Sequence, residues 1–389
     1  MVGCKPSGLT FGGQRSDESM RMTCVVGTRP NFVKVAPLIE AARQHGSIAT
    51  RLVHTGQHYD AQMSAVFFEE LGIPAPDACL EAGSGSHAIQ TARIMEHFDR
   101  ELDGWPCDLV LVVGDVNSTL ACALVAAKRR IPVAHVEAGL RSENRGMPEE
   151  INRILTDQLS DFLFTTDRAA GDNLVREGVE RSRIHFAGNV MIDTLLKHRE
   201  RAAGRTILPS LALEPRRYAL CTLHRPSNVD TASAATNTLE ALEIVASAMP
   251  TVLPLHPRTR SRLQDFGLLE RLERQPNFRV TEPLGYLDFL CLMDQARVVL
   301  TDSGGIQEET TALGVPCMTF REQTERPITV AEGSNVVVGI APSAVAHELT
   351  QVLARPERVS ARPALWDGRA AERIIAVLAE RSSSAVRAQ

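Results

Sequence analysis

The sequence predicts an α/β protein made of two doubly wound parallel sheets in tandem, facing each other across a central cleft. Three observations predict it. Short apolar runs alternate with longer helical segments along most of the chain, which is the pattern of parallel strands covered on both faces. A length of 389 residues holds two cores of ordinary size. The alternation is interrupted after Gly188, where a polar helix and a proline-containing stretch to Pro215 separate two such series.

Residues 1–22 read as a flexible N-terminal extension, with Met20 or Met22 as the candidate functional start, because the first strand pattern begins at Thr23. In the first domain, residues 23–188, the apolar runs Thr23–Gly27, Arg51–His54, Asp108–Gly114, Pro132–Val136, Phe162–Thr166 and Ile184–Ala187 are the strands. Helical periodicity places helices over Phe32–His45, Ala61–Leu71, His87–Leu102, Thr119–Lys128 and Glu149–Leu159. The second domain, residues 189–365, repeats the pattern with strands at Tyr218–Thr222, Thr251–Leu255, Phe278–Val280, Val298–Thr301 and Val315–Phe320. An amphipathic run at Gly368–Leu378, within a segment of about 366–380, is placed to pack back on the first domain. The Ser/Ala-rich residues 381–389 read as a disordered tail.

Composition narrows the function classes. Hydrophobic content of 44% and charged content of 23% are those of a soluble globular protein. A net charge of -5 argues against a nucleic-acid partner, so any basic site is local. The eight cysteines form no C-x-x-C pair and several sit in apolar runs, which fits a reducing cytoplasm. No run reaches the length of a membrane span, and the first residues lack the apolar core of a signal peptide.

Ligands of such sheets bind beyond the carboxyl ends of the strands, so residues just after strands carry the argument. Asp302-Ser303-Gly304-Gly305-Ile306-Gln307-Glu308-Glu309 follows Val298–Thr301 as strand, glycine turn and helix start, with Ser303 as N-cap. The turn suits a phosphate, and equally it suits an ordinary helix start. Gly27-Thr28-Arg29-Pro30 with Lys34 puts two cations near a helix N-terminus, where they oppose the dipole unless an anionic ligand is bound. Three stretches bring carboxylates to the first sheet: Gly114-Asp115, His135-Val136-Glu137-Ala138-Gly139-Leu140-Arg141, and Pro148-Glu149-Glu150-Ile151-Asn152-Arg153. Turn and capping chemistry would account for Asp115 and Glu149 singly; together with Glu137 they suggest general acid/base work. A metal site on His54, His58, His135 and Glu137 is the weaker alternative, since no compact ligand motif is present. In the second domain His224-Arg225 and His256 end strands beside the Ser303 turn, and Arg326 adds a cation from a loop. Phe289 is read either as core or as a platform for a base.

In this order, these motifs make the chain resemble the non-hydrolysing UDP-N-acetylglucosamine 2-epimerases, from about Thr23 to about Leu378. The resemblance implies a GT-B fold of two Rossmann-like domains with the last helix crossing back. It implies interconversion of UDP-GlcNAc and UDP-ManNAc through loss of UDP to a 2-acetamidoglucal and re-addition, with no cofactor, no metal and a homodimeric state. It assigns Asp115, Glu137 and Glu149 to proton transfer and His224 to the leaving group. Arg29, Lys34, Arg141, Arg225, His256 and Arg326 then serve substrate binding. Ser303, Gly304, Gly305 and Glu309 hold UDP, and Phe289 stacks on uracil.

The chain departs from the family pattern at Asn31 and Ile328, where Glu is usual. It also has Gln57-His58-Tyr59-Asp60 in place of the QHRQ of substrate-activated members, so an allosteric UDP-GlcNAc site is not carried over. The competing readings are a hydrolysing 2-epimerase, an epimerase of a UDP-diacetamido sugar, a GT-B glycosyltransferase and a catalytically silent nucleotide-sugar sensor. The presence of Arg29-Pro30, Lys34 and all three acids favours the non-hydrolysing epimerase.

Overall fold

The computed structural model describes residues 19–56, 70–355, 358 and 362–386, leaving aside the side chains of Arg29 and of 381–386. Gln57–Asp60 and all but the last two residues of the helix expected over 61–71 lie outside the described residues. Among the described residues, thirteen strands form two wholly parallel sheets. The first has the order β3-β2-β1-β4-β5-β6-β7, with β1 Met20–Val26, β2 Ile48–His54, β3 Ala78–Cys79, β4 Leu109–Val113, β5 Val133–Ala138, β6 Phe162–Thr165 and β7 Ile184–Phe186. The second has the order β10-β9-β8-β11-β12-β13. Its strands are β8 Ala219–Thr222, β9 Thr251–Pro254, β10 Phe278–Thr281, β11 Val298–Thr301, β12 Cys317–Thr319 and β13 Asn335–Val337.

These are the two facing doubly wound sheets that the resemblance implies as a GT-B fold. Both sheets run outward from a central pair, β1/β4 in one and β8/β11 in the other. At such a pair the connections leave in opposite directions, and a crevice opens beyond the strand ends. The turns after β1, β4, β8 and β11 are those of Gly27, Gly114, His224 and Ser303, so the sheet order brings together four motifs scattered along the chain.

Several expectations are corrected. The first strand starts at Met20 rather than Thr23, and Met22 is fully buried, so Met20–Met22 belong to the sheet and not to an extension. The short strands β3 and β13 and the helix Arg168–Arg176 are additional; that helix is capped by Asp167, whose Oδ1 accepts from the Ala170 N–H at 2.8 Å. The helix after Gly188 is not a polar linker. Over Val190–Ala203 it buries Val190, Met191, Ile192 and Leu195 among residues of both domains, with the buried Asp193 in its first turn and its other charges in the later turns. The last helix runs Ala370–Val386, past the expected tail start, with no Gly or Pro to interrupt it.

That last helix packs on helices Arg29–His45 and Val190–Ala203, and its start is fixed by Asp193, whose carboxylate accepts from the N–H of Ala370 and of Ala371 at 3.1 and 2.7 Å. Trp366 donates its indole N–H to Thr166 O at 3.0 Å. Gly188 sits under this crossing with φ +91°, and a Cβ there would lie 2.2 Å from Leu365 O. Gly188→Ala combines a strained φ with a backbone clash, and an equilibrium urea unfolding curve should show a loss of roughly 3 kcal/mol.

Candidate active site

Glu137 is a buried carboxylate at which the two domains meet. It ends β5 with φ 74°, in the left-handed region that a non-glycine residue seldom adopts, and the pairing of β5 with β6 shifts register between Val136 and Ala138. The bulge re-aims the side chain out of the strand alternation, and the strained backbone marks a position held by its surroundings. Lys34, from the second turn of the helix Arg29–His45, pairs with Glu137 Oε2. Arg326 reaches across from the other domain, its Nη2 donating to Glu137 Oε1 at 2.7 Å. Burial pushes the Glu137 carboxyl up, but the charges of Lys34 and Arg326 outweigh it and hold the carboxyl below its ordinary value.

Arg326 is itself enclosed. Its Nη1 donates to Glu325 at 2.8 Å and its Nε lies 3.1 Å from Glu308 Oε1. The guanidinium rests against the Ser303 turn, where a Cβ on Gly304 would come within 2.6 Å of Nη1. A Cβ on Gly305 would lie 2.9 Å from Met191 Cε. Neither glycine has positive φ, so both are required for the close approach of Arg326 and Met191 rather than for backbone freedom. Ser303 is the N-cap residue as expected, but its hydroxyl makes no capping bond to the helix Gly304–Leu313. The first N–H groups of a helix have no intrahelical acceptor.

The other carboxylates of the first domain divide by role. Asp115, after β4, accepts from Arg153 Nη1 at 2.5 Å and is 29% exposed, so it is anchored yet partly open to solvent. Its backbone carbonyl accepts from Asn152 Nδ2 at 2.8 Å. Glu150 is buried, accepts from the Ser142 and Glu143 N–H groups and pairs with Arg153, which makes it a loop anchor. Glu149, beside it, is half-buried and lines the cleft. His135 is buried between Asp157 and the Gly114 carbonyl, at 2.7 and 2.8 Å. His54 stacks on Phe32, their ring centroids 5.3 Å apart. Among the described residues no three His, Cys, Asp or Glu side chains converge as a metal ligand set; His58 lies outside them.

On the facing domain, His224 is 45% exposed with its Nδ1 3.1 Å from Asp302. The buried Asp302 also accepts from the N–H groups of His224 and Arg225 and from Asn228 Nδ2, at 3.0, 2.8 and 3.0 Å. Asp302 therefore orients the His224 loop. Arg225 Nε donates to Asp302 O at 2.9 Å. His256 caps its helix by accepting from the Arg258 N–H at 3.2 Å, and its ring centroid lies 6.0 Å from that of His224. Glu309 is buried; Tyr286 donates to it at 3.4 Å, and burial pushes its carboxyl up to about 8.

A cavity of about 790 Å³ opens between the domains, lined by His87, Ser142, Met147 and Glu149 on one side and by Arg225, Asn228, Arg321 and Glu325 on the other. The ion cluster of Lys34, Glu137 and Arg326 adjoins it through Glu325. Two sequence-predicted residues stand apart. Arg141 is held by Asp157 and Glu177 at 2.7 and 2.5 Å and is 7% exposed, so it braces Gly139 and β5 rather than lining the cleft. Phe289 is half-buried against the core. Arg29 opens its helix, and its side chain is outside the description.

Sequence reasoning missed Glu308, Glu325 and Arg321. The available signal was the adjacent pair Glu308-Glu309 in a helix that continues Thr310-Thr311-Ala312-Leu313, where two neighbouring acids both face buried surroundings. Asn31, noted only as a departure, ties the first turn together. Its Oδ1 accepts from the N–H of Gly27 and of Thr28 at 3.1 and 3.0 Å, and its Nδ2 donates to Val113 O at 3.3 Å.

A family model described as UDP-N-acetylglucosamine 2-epimerase matches residues 40–379. The UDP-N-acetylglucosamine 2-epimerase of Methanocaldococcus jannaschii is 40% identical over 367 residues, covering 92% of this chain and 99% of the relative. The UDP-2,3-diacetamido-2,3-dideoxy-D-glucuronate 2-epimerase of Pseudomonas aeruginosa is 45% identical over 325 residues, 83% and 89% of the two chains. The M. jannaschii crystal structure in complex with UDP-GlcNAc and UDP superposes with a TM-score of 0.86 at 40% identity, over 93% of this chain and all of the other. A Streptomyces nogalater glycosyltransferase, at 16% identity and a TM-score of 0.52 over 95% of this chain and 100% of its own, shares the fold alone. The chain belongs to the UDP-N-acetylglucosamine 2-epimerase family.

Proposed function

We propose that the chain interconverts UDP-GlcNAc and UDP-ManNAc without net hydrolysis, by expelling UDP and adding it back after inversion at C2. The observation that carries this reading is the strained Glu137, gripped by Lys34 of its own domain and by Arg326 at the phosphate-type turn of the other. A C2 proton has no neighbouring carbonyl to acidify it, so the anomeric bond must loosen first. As the C1–O bond breaks, its electron pair leaves with the β-phosphate oxygen. A carboxylate takes the C2 proton, and the C2–H pair closes the C1–C2 double bond of a 2-acetamidoglucal. Protonation of C2 from the opposite face and return of UDP to C1 complete the inversion.

The residues fit these demands. Glu137, Asp115 and Glu149 are the proton-transfer groups. The free N–H groups at the start of the Gly304–Leu313 helix, with Ser303 Oγ and His224, receive the departing diphosphate. When the diphosphate draws Arg326 and Lys34, Glu137 loses the charges that hold its basicity down, so occupancy of the phosphate site arms the base. Arg225 adds a charge at the same end, and Glu309 takes the ribose hydroxyls. Of the relatives, one acts on UDP-GlcNAc and one on a UDP-diacetamido uronate; the UDP-GlcNAc reading rests on the match over 99% of the M. jannaschii enzyme. Incubation with UDP-GlcNAc followed by phosphorus NMR should yield UDP-ManNAc with UDP still esterified. Stoichiometric free UDP would identify a hydrolase instead.

A further inference from the structure

Glu308 has a side chain 1% exposed, its Oε1 lies 3.1 Å from Arg326 Nε, and its Oε2 has no hydrogen-bond partner among the described residues. Among the described residues no backbone N–H donates to it and it is not part of the cavity lining, so helix capping and turn formation do not account for a carboxylate here. A glutamate enclosed in this way is costly to keep unless its charge serves a neighbour. The neighbour is the guanidinium that pairs with Glu137 across the cleft.

We propose, resting on the assignment of Glu137 as an acid/base group, that Glu308 is a positioning residue. Through its ion pair with the Arg326 guanidinium it sets both the place of Glu137 and how strongly Glu137 is neutralised. The geometry leaves Arg326 three carboxylate-facing sides: Glu308 at Nε, Glu325 at Nη1 and Glu137 at Nη2. An ionised Glu308 shares the charge of Arg326 and leaves Glu137 the stronger base. A protonated Glu308 gives Arg326 over to Glu137 and Glu325.

The groups facing Glu308 are Arg326, Glu137, Lys34 and the adjacent Glu309. Burial, opposed by Arg326, pushes its carboxyl up to about 7. Turnover should therefore rise with pH through a limb near that value.

The test is Glu308→Gln, which keeps the shape and removes the charge, with Glu308→Asp as the charge-retaining control. The full-length protein is assayed for C2 hydrogen exchange in UDP-GlcNAc from pH 5.5 to 9, and UDP affinity is read by calorimetry. Misplacement of a reacting group of this order costs about 10²-fold, so kcat of Glu308→Gln should fall by that order. The limb near pH 7 should vanish, the KM should stay within about threefold, and Glu308→Asp should recover the limb. A Glu308→Gln enzyme that keeps both kcat and the limb overturns the proposal. So does a loss of kcat in both variants with the limb still in place, which would make Glu308 purely structural. Absence of exchange in the unmodified protein at every pH would instead defeat the epimerase reading itself.

Discussion

Glu137→Gln is expected to slow C2 hydrogen exchange in UDP-GlcNAc by about 10³-fold, the range of a lost general acid/base group, while UDP still binds. Glutamine fills the same space but cannot take a proton. It also leaves Lys34 and Arg326 with one counter-charge fewer, so affinity for the diphosphate should be unchanged or higher. Single-turnover exchange and a UDP titration measure the two effects separately. A variant that keeps near-normal exchange would remove Glu137 from the chemistry, and a variant that loses UDP binding in proportion would make it a binding residue.

Arg326→Ala is expected to destabilise the protein by about 3–5 kcal/mol, the cost of removing one partner from a buried ion pair. Arg326 is 8% exposed and its loss leaves Glu137, Glu308 and Glu325 facing one another. Lys34 still neutralises Glu137, and Arg321 and Arg225 still face Glu325, so among the described residues Glu308 is the carboxylate left without an ion-pair partner. The sign with pH is fixed by these groups: protonation relieves the repulsion, and Glu308, already pushed up to about 7, takes a proton most readily. Urea unfolding should therefore show a loss that is largest near pH 8 and shrinks towards pH 5. Arg326→Lys should recover part of the stability but little of the activity, because an ammonium cannot present three separate sides to three carboxylates.

Much of this architecture was legible in the chain. Parallel strands buried on both faces have to be apolar, and the charged residues that follow them at Gly27, Gly114, Ala138 and Thr301 gather at the same ends of the two sheets, so fold and cleft were readable together. What was not legible is what depends on distant pairing. Glu137 and Arg326 are 189 residues apart in the chain, and nothing near either announces the other. Arg141 looked like a ligand cation because it sits in the same stretch as Glu137, whereas Asp157 and Glu177, on later helical turns, claim its guanidinium. That Gly304 and Gly305 also leave room for Arg326 and Met191 is written nowhere near them in the chain. The short strands β3 and β13, of two and three residues, carry too little periodicity to be seen.

The central claim is that this cleft breaks and re-forms both the C2–H and the C1–O bonds while holding UDP. Its most direct measurement is proton NMR of UDP-GlcNAc incubated with the protein in D2O. The account predicts deuterium at C2 in a mixture of UDP-GlcNAc and UDP-ManNAc, with little free UDP. Formation of UDP-ManNAc with the C2 proton retained, or no exchange in either sugar, would contradict it.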